Sequence, residues 1–356
     1  MSIDTVVTRR LGLSLPVFQG PFGGGLSTVS LVAAVSNAGG LGSYGAHLLK
    51  PDEIVALAAE IRKATARPFA LNLWVTSCDP GGSTPEPEEW ARLAGSFQKY
   101  YAELGIAPPP RPDAPEPHFD EQVEAVLQAR PAVFSFVFGI PPTSVLEECR
   151  RRGIVTMGAA TTVDEAVALE RAGVDWVLAT GSEAGGHRPS FLKPAEESLV
   201  GTMALVPQMV DRVSIPVVAA GGMGDARGVA AALALGASAA QLGTAFLACE
   251  ESGASALHRE ELTRARAHDT VLSRAFTGRL ARFIRNDFVH DWEGRPPLPY
   301  PLQGRFALPI KQAAAAQGRR ERMSLYAGQG APLLRHRRAD DLMTALARDL
   351  RGQPPA

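Results

Sequence analysis

Apolar and polar positions alternate in blocks between Leu15 and Leu242. Short apolar runs such as Val133–Val137 and Pro216–Ala220 are each followed by a longer segment in which apolar residues recur every three or four positions. Uninterrupted apolar runs are typical of parallel strands buried on both faces, and the longer segments are typical of the helices that connect such strands. The pattern therefore predicts a series of β/α units.

Eight strands are predicted in this region. Because each strand leads into a helix that ends near a glycine, as at Gly173, the count favours a closed (β/α)8 TIM barrel in the α/β class. An open, doubly wound sheet is the structural alternative. The predicted strands are Leu15–Gln19, Leu41–Tyr44, Pro68–Val75, Val133–Val137, Ile154–Met157, Asp175–Ala179, Pro216–Ala220 and Ala239–Leu242.

Two segments break the β/α rhythm. Residues 76–117 form an insertion after the third strand, with one predicted helix over Glu86–Leu104, and an insertion of this length indicates a lid. Residues 251–356 form a C-terminal extension with a final predicted helix over Ala339–Leu350. Because the extension has few apolar positions for a core of its own, we expect one barrel over residues 1–250 and an appendage packed on it over residues 251–356.

Charge and cysteine content narrow the class of protein. Lys and Arg total 36 against 37 Asp and Glu, so nothing favours nucleic acid or an anionic membrane as a partner. The cysteines Cys78, Cys149 and Cys249 are far apart, which predicts neither disulfides nor a metal site. With no apolar run long enough for a membrane helix and no leader pattern, we expect a cytoplasmic protein.

A histidine follows the sixth predicted strand in the segment Gly181–Arg188, which reads Gly-Ser-Glu-Ala-Gly-Gly-His-Arg. Glycines permit close approach of the backbone to a flat ligand, and a histidine at a strand end can act as a base near neutral pH. His187 is therefore a candidate catalytic residue. A polar loop carrying one surface histidine is the alternative interpretation.

Glycine-containing turns also follow the seventh and eighth strands, at Gly221-Gly222 and Gly243-Thr244. In barrels of this type a phosphate often binds between these two turns, cradled by backbone N–H groups. The sequence lacks both a Walker lysine motif and a Gly-x-Gly-x-x-Gly turn in the first unit, which leaves a sugar phosphate, pyridoxal phosphate or FMN. FMN fits best, because Asn72 could bond a flavin edge and the Gly20–Gly25 loop could pass along its plane.

These segments, together with Asn72–Val75 and Ala33–Gly42, resemble the nitronate monooxygenases, formerly called 2-nitropropane dioxygenases. The resemblance runs from about Leu15 to Phe246, with an echo at Thr277–Arg279 and at Tyr326–Gly330. It implies a TIM barrel that binds FMN without a metal and oxidises alkyl nitronates, or nitroalkanes, with O2 to a carbonyl compound and nitrite. A small-molecule substrate and O2 are then the expected partners, and a homodimer is one expected assembly.

The resemblance also implies roles for individual residues. His187 matches the catalytic base, and Asn72, Gly185, Gly222 and the segment from Gln241 to Thr244 match flavin-contacting positions. The predicted cofactor contacts are Gln19, Gly20, Asn72, Thr180, Gly185, Gly186, Gly221, Gly222, Gln241, Leu242, Gly243 and Thr244.

Several features depart from the family pattern or leave a choice open. Thr180 stands where well-characterised members have Gln, and Pro189 replaces a glycine, so the substrate and one flavin contact can differ. An FMN-dependent enoyl-thioester reductase that uses NAD(P)H, and a flavin-binding protein without turnover, are the alternative functions.

Three further side chains near the strand ends have two interpretations each. His47 could line the pocket or make a structural hydrogen bond. Glu183 could orient His187 or cap a turn. Arg188 could attract an anionic substrate or form a surface ion pair.

Overall fold

The computed structural model describes residues 3–76, 84–112 and 119–352. Eight parallel strands lie in the order β1-β9-β8-β6-β5-β4-β3-β2, and a parallel bridge between Phe18 and Leu41 closes the ring between its first and last members. This arrangement confirms the (β/α)8 barrel and excludes the doubly wound sheet. The strands are β1 (Val17–Gln19), β2 (Gly42–Gly45), β3 (Phe69–Trp74), β4 (Val133–Val137), β5 (Val155–Ala160), β6 (Trp176–Thr180), β7 (Gly186–His187), β8 (Val217–Ala220), β9 (Ala239–Leu242), β10 (Thr270–Ser273) and β11 (Ala281–Ile284).

Helices surround the barrel, and four of those given below lie in the C-terminal extension. They are α1 (Val6–Leu11), α2 (Val29–Asn37), α3 (Pro51–Ala64), α4 (Pro87–Gly95), α5 (Gln98–Leu104), α6 (Phe119–Ala129), α7 (Thr143–Arg151), α8 (Val163–Arg171), α9 (Thr202–Arg212), α10 (Ala226–Ala234), α11 (Thr244–Leu247), α12 (Ala256–Arg264), α13 (Asp287–Asp291), α14 (Leu302–Gln317) and α15 (Ala339–Leu350). Within the described residues, no helix is long and apolar enough to cross a membrane.

The helix predicted over Glu86–Leu104 is wrong in one respect, because two helices occupy this stretch. The helix is interrupted at Ser96 and Phe97, directly after Gly95, and α5 begins at Gln98. Glycine and serine are weaker helix formers than most residues, so the break falls at the weakest point of the amphipathic pattern. Residues 79–83 of the preceding loop lie outside the described residues, and the role of the insertion as a lid stays a prediction.

The C-terminal extension has more apolar packing than its own sequence indicates. Aromatic side chains from α4 and α5 of the insertion pack with those of the extension in one buried cluster, which includes Phe97, Tyr101, Phe276, Phe288 and Phe306. The extension therefore shares this apolar cluster with the insertion. That residues 251–356 form an appendage without a core of their own stays a prediction.

A small antiparallel sheet joins the extension to the barrel. Strand β7, which consists of Gly186 and His187, pairs with Arg282 and Ala281 of β11, and β11 pairs in turn with β10. The loop that follows β6 is thus held from outside the barrel. This pairing fixes the backbone of His187 above the strand ends.

Candidate active site

A cavity of about 610 Å³ lies at the carboxyl ends of the barrel strands. Its floor consists of the turns that follow the strands, and its roof consists of residues from β7, from the loop between β10 and β11, and from α14. Active sites of (β/α)8 barrels lie at this face. The cavity is therefore the candidate active site.

Most of the residues predicted to contact the cofactor line this cavity, and two do not. The Gln19 side chain is buried and accepts a hydrogen bond from Ser43 N–H at 2.8 Å while it donates to Gly20 O. Leu242 is fully buried in the layer between barrel and helices. Both side chains support the fold and do not face the cavity. The predicted residues that line it are Gly20, Asn72, Thr180, Gly185, Gly186, His187, Gly221, Gly222, Gln241, Gly243 and Thr244.

His187 projects into the cavity with one ring nitrogen engaged. Its Nε2 lies 2.9 Å from Thr277 Oγ1, and its ring meets the edge of Trp74 with centroids 4.8 Å apart. Burial, followed by the positive charges of Arg279 and Lys311, lowers the pKa of His187 well below its usual value. The imidazole is therefore neutral at pH 7 and carries one lone pair for a proton.

Trp74 is the centre of an aromatic cluster that forms one wall. His47 stacks on it with ring centroids 3.9 Å apart, and the Arg279 guanidinium lies over the rings of Phe138 and Tyr300 at 3.6 and 4.4 Å. A guanidinium held over aromatic faces is stabilised by cation–π attraction. Arg279 thus places a positive charge beside His187 without filling the cavity.

His47 lines the pocket, and its Nδ1 is buried with no hydrogen-bond partner among the described residues. Burial and the nearby Arg279 charge lower the pKa of His47 to about 3, so this ring is neutral as well. Of the two interpretations drawn from sequence, the structure therefore supports a wall of the cavity over a structural hydrogen bond.

Backbone N–H groups point to an anion-binding turn at the ends of β8 and β9. Within the described part of the chain, nothing accepts a hydrogen bond from the N–H groups of Gly222, Met223, Gly243 or Thr244. Gly222 adopts a positive φ of 72°, which L residues rarely take. N–H groups without an acceptor in the turns after two neighbouring strands are typical of a phosphate site.

The C-terminal loop closes this turn from above. Thr244 Oγ1 accepts a hydrogen bond from Gly328 N–H at 2.9 Å, and a Cβ on Gly185 would lie only 2.5 Å from Gly328 N. A glycine is therefore required at position 185, because any side chain there would collide with the backbone of the extension. The N-cap of α11 is Gly243, so Thr244 does not itself cap the helix.

Glu183 and Arg188 have structural roles. Both Glu183 carboxylate oxygens accept hydrogen bonds from Thr202 at 2.9–3.0 Å, which caps the start of α9. The Arg188 side chain is 1% exposed and donates to the carbonyls of Thr180 and Gly181. Both interpretations of Arg188 from sequence are therefore wrong. Its guanidinium stabilises the end of β6, from which the chain leads to His187.

The C-terminal extension supplies cavity residues that the sequence analysis did not assign to the site. Thr277 and Arg279 lie in the segment that echoes the family, but their contacts with His187 and Trp74 depend on long-range pairing. Lys311 lines the cavity from α14, and burial lowers the pKa of its ammonium group to about 8. Among the described residues, no carboxylate pairs with Lys311, and no group of three or more His, Cys, Asp or Glu could hold a metal ion.

Comparison with known proteins defines the class of this barrel. A sequence model of the family "Nitronate monooxygenase" matches residues 5–349. Probable nitronate monooxygenases of Staphylococcus haemolyticus and Staphylococcus saprophyticus are 39% and 38% identical over 99% and 94% of this chain, and the matches cover 98% and 94% of those proteins. The barrel is thus an oxidoreductase. The chain belongs to the nitronate monooxygenase family.

Solved structures agree on the fold. A nitroalkane oxidase from Streptomyces ansochromogenes superposes with a TM-score of 0.88 at 38% identity, and the match covers 97% of each chain. FabK from Thermotoga maritima superposes with a TM-score of 0.76 at 30% identity, over 98% of this chain and 97% of that one.

Proposed function

We propose that this enzyme binds FMN and oxidises alkyl nitronates, or nitroalkanes, with O2 to a carbonyl compound and nitrite, with His187 as the base that accepts the α proton of a nitroalkane. The observation that carries the proposal is a neutral imidazole that lines the same cavity as the glycine turns after β8 and β9. The test is product analysis, because ethylnitronate in air should give acetaldehyde and nitrite in equal amounts. Consumption of ethylnitronate without nitrite would contradict it.

The cofactor proposal depends on the unpartnered donors at the ends of β8 and β9. The N–H groups of Gly222, Gly243 and Thr244 would hold the phosphate of FMN, and Asn72, which donates to Ser135 Oγ at 3.0 Å, would still present its carbonyl oxygen to the ring system. The bound cofactor would supply the electron acceptor that the side chains lack, and a route from it to O2.

The low pKa of His187 bears on the preferred substrate. An imidazole whose protonated form is destabilised is neutral at pH 7, but it is a weak base. A nitronate that arrives already deprotonated needs only a partner for its charge, whereas a neutral nitroalkane must give its proton to this ring. We therefore propose that nitronates are better substrates than the corresponding nitroalkanes.

Phosphate recognition by Thr244 can be tested with Thr244→Val, which preserves shape but removes the hydroxyl. We expect the affinity for FMN to fall roughly tenfold, the usual effect of one lost hydrogen bond to a charged group. Riboflavin, which lacks the phosphate, should bind both proteins equally in fluorescence titrations of the cofactor-free protein. Thr263→Val, on the exposed face of α12, is the control. An equal loss of affinity for FMN and riboflavin would contradict the prediction. It would show that the Thr244 hydroxyl supports only the loop at Gly328 and does not contact the phosphate.

Lys311 should make the KM for anionic substrates depend on pH. Because its pKa lies near 8, its positive charge is present below that pH and is lost as the pH rises through it. We expect the KM for ethylnitronate to rise above pH 8 in the wild type, and Lys311→Met to have a KM roughly tenfold higher at pH 7 with this dependence removed. The exposed Lys193→Met is the control. An unchanged KM in Lys311→Met would show that the ammonium group does not attract the substrate.

The second candidate function is an FMN-dependent enoyl-thioester reductase that uses NAD(P)H. The likeness to FabK at 30% identity favours it over other flavin chemistries. The choice between the two functions depends on which reductant the enzyme accepts, and this can be measured without knowing the physiological substrate.

A further inference from the structure

We propose that His47 is a second substrate-binding residue, which donates a hydrogen bond from Nε2 to an oxygen of the nitro or nitronate group while His187 faces the α carbon. This inference rests on the proposed function, because it assigns a partner to the oxygens of the same substrate. The two ring nitrogens of His47 differ in their access to the cavity, and this difference carries the inference.

Packing holds the His47 ring in place. One face lies against the indole of Trp74, with ring centroids 3.9 Å apart and an angle of 6° between the planes. A Cβ at position 23 would collide with Cε1 of the ring, so Gly23 permits the close approach of the first loop. The backbone is fixed as well, because His47 O accepts a hydrogen bond from the buried Gln122 side chain at 3.0 Å. The ring orientation is therefore set before any ligand binds.

The two nitrogens of this ring lie in different surroundings. Neither makes a hydrogen bond to any residue that the structure describes, but only Nδ1 is enclosed by the protein. The residue as a whole keeps part of its surface open and lines the cavity. Nε2 is therefore the nitrogen that a ligand in the cavity can reach.

The single proton of the neutral ring belongs on Nε2. Burial lowers the pKa of His47 to about 3, so the ring carries one proton at pH 7. A proton on Nδ1 would make a buried N–H donor without an acceptor among the described residues, and such donors are rare in native structures. The tautomer with the proton on Nε2 is also the more stable one for histidine in water. His47 therefore presents an N–H donor to the cavity.

This donor lies next to the proposed base. His187 contacts the same indole, with the ring centroids of His187 and Trp74 4.8 Å apart, and both imidazoles line one cavity. In a nitroalkane only the nitro nitrogen separates the α carbon from the oxygens. A substrate whose α carbon faces His187 can therefore place an oxygen at His47.

The donor acts on the charge that proton removal creates. When the α C–H bond of a nitroalkane breaks, the proton goes to His187, the C–H electron pair forms a C=N bond, and the π pair of an N–O bond moves onto oxygen. A hydrogen bond aimed at that oxygen is stronger in the transition state than in the ground state. A nitronate carries this charge from the start, so for that substrate the same bond stabilises the bound complex.

His47→Phe and His47→Gln separate the hydrogen bond from the packing. Phenylalanine keeps an aromatic ring for Trp74 but has no donor, whereas glutamine keeps an N–H donor and loses the ring. We expect kcat/KM with nitroethane to fall roughly 100-fold in His47→Phe but only about threefold in His47→Gln, as for loss of one donor to a developing oxyanion. With ethylnitronate the loss in His47→Phe should be roughly tenfold and should lie mainly in KM.

The order of the two variants decides between the two roles of the side chain. A loss in His47→Gln that equals or exceeds the loss in His47→Phe, or no loss in either variant, would overturn the inference. His268 is the matched control, because its side chain is 73% exposed and it does not line the cavity. His268→Phe and His268→Gln should leave both activities unchanged.

A second measurement reads the donor directly and does not depend on turnover. The sequence has 7 histidines, so in FMN-loaded protein labelled with 15N at histidine the His47 signals can be assigned by their absence in His47→Gln. We expect a protonated Nε2 and a bare Nδ1. We also expect the Nε2 signal to shift when sodium nitrate is added, because nitrate is a planar anion with oxygens like those of a nitronate.

A protonated Nδ1 in the wild type, or a His47 signal that nitrate leaves unchanged, would overturn the inference. If instead nitrate shifts the signal but the enzyme oxidises no nitronate, the proposed function fails and the assignment of the donor stands.

Discussion

Replacement of His187 by Asn should reduce kcat/KM with nitroethane by about 10²- to 10⁴-fold, the range expected when a general base is removed. Asparagine can still bond Thr277 but has no lone pair of comparable basicity for the substrate proton. The loss should be smaller with ethylnitronate, because that substrate arrives without the proton. Steady-state oxygen consumption with each substrate measures both effects.

The matched control for this variant is His290→Asn. His290 lies on α13, its exposed ring contacts Glu293, and it is not among the residues that line the cavity. Its replacement should leave both activities unchanged. Equal losses with nitroethane and ethylnitronate in His187→Asn would mean that His187 holds the substrate anion and does not remove a proton.

Phe306→Ala should lower the free energy of unfolding by about 3–5 kcal/mol, as expected for removal of a fully buried aromatic ring. The Phe306 ring packs against Trp90 and Phe97 with centroids 4.5 and 5.5 Å apart, and its backbone carbonyl accepts a hydrogen bond from Tyr101 at 2.9 Å. The side chain therefore joins the insertion to the extension. Urea denaturation of the cofactor-free protein measures the change.

Leu308→Ala, on the same helix, is the control for any effect of an alanine substitution on the stability of α14 itself. Its side chain is 47% exposed, so the free energy of unfolding should change by no more than about 0.5 kcal/mol. If Phe306→Ala destabilises the protein no more than Leu308→Ala does, the aromatic cluster does not tie the two segments together.

The barrel could be predicted because its signal is local. A buried parallel strand appears as a short apolar run wherever it occurs, and the glycine after each helix marks the return to the sheet. The site face followed from the same pattern, since every strand end in a barrel lies on one side. The sequence therefore predicted that His187 and the turns at Gly221 and Gly243 lie on the same face of the barrel.

The parts that could not be predicted depend on contacts between distant segments. Nothing local in Gly186-His187 indicates that it pairs with β11, because two residues carry too little pattern to define a strand. The contact between Thr277 and His187 depends on that pairing. The aromatic cluster was missed for a similar reason, since its members come from the insertion and from the extension and neither segment shows a complete apolar face.

The direction of the side chains was the second feature that could not be predicted for the proposed cofactor contacts. Gln19 and Leu242 lie at strand ends like their neighbours, but along a strand successive side chains point to opposite faces. The position of a residue in the sequence identified the strand end correctly without telling which side faces the cavity. The role of Glu183 could not be predicted from its position either, because it depends on the contact with Thr202 in a distant segment of the sequence.

Anaerobic mixing of the FMN-loaded enzyme with ethylnitronate and, separately, with NADPH tests the central claim most directly. Loss of the visible flavin absorbance reports reduction in each case, and admission of air followed by nitrite analysis completes the experiment. The proposed function predicts rapid reduction by ethylnitronate, slow or no reduction by NADPH, and nitrite release on return of air. Rapid reduction by NADPH with no response to ethylnitronate would contradict it and assign the cavity to a reductase.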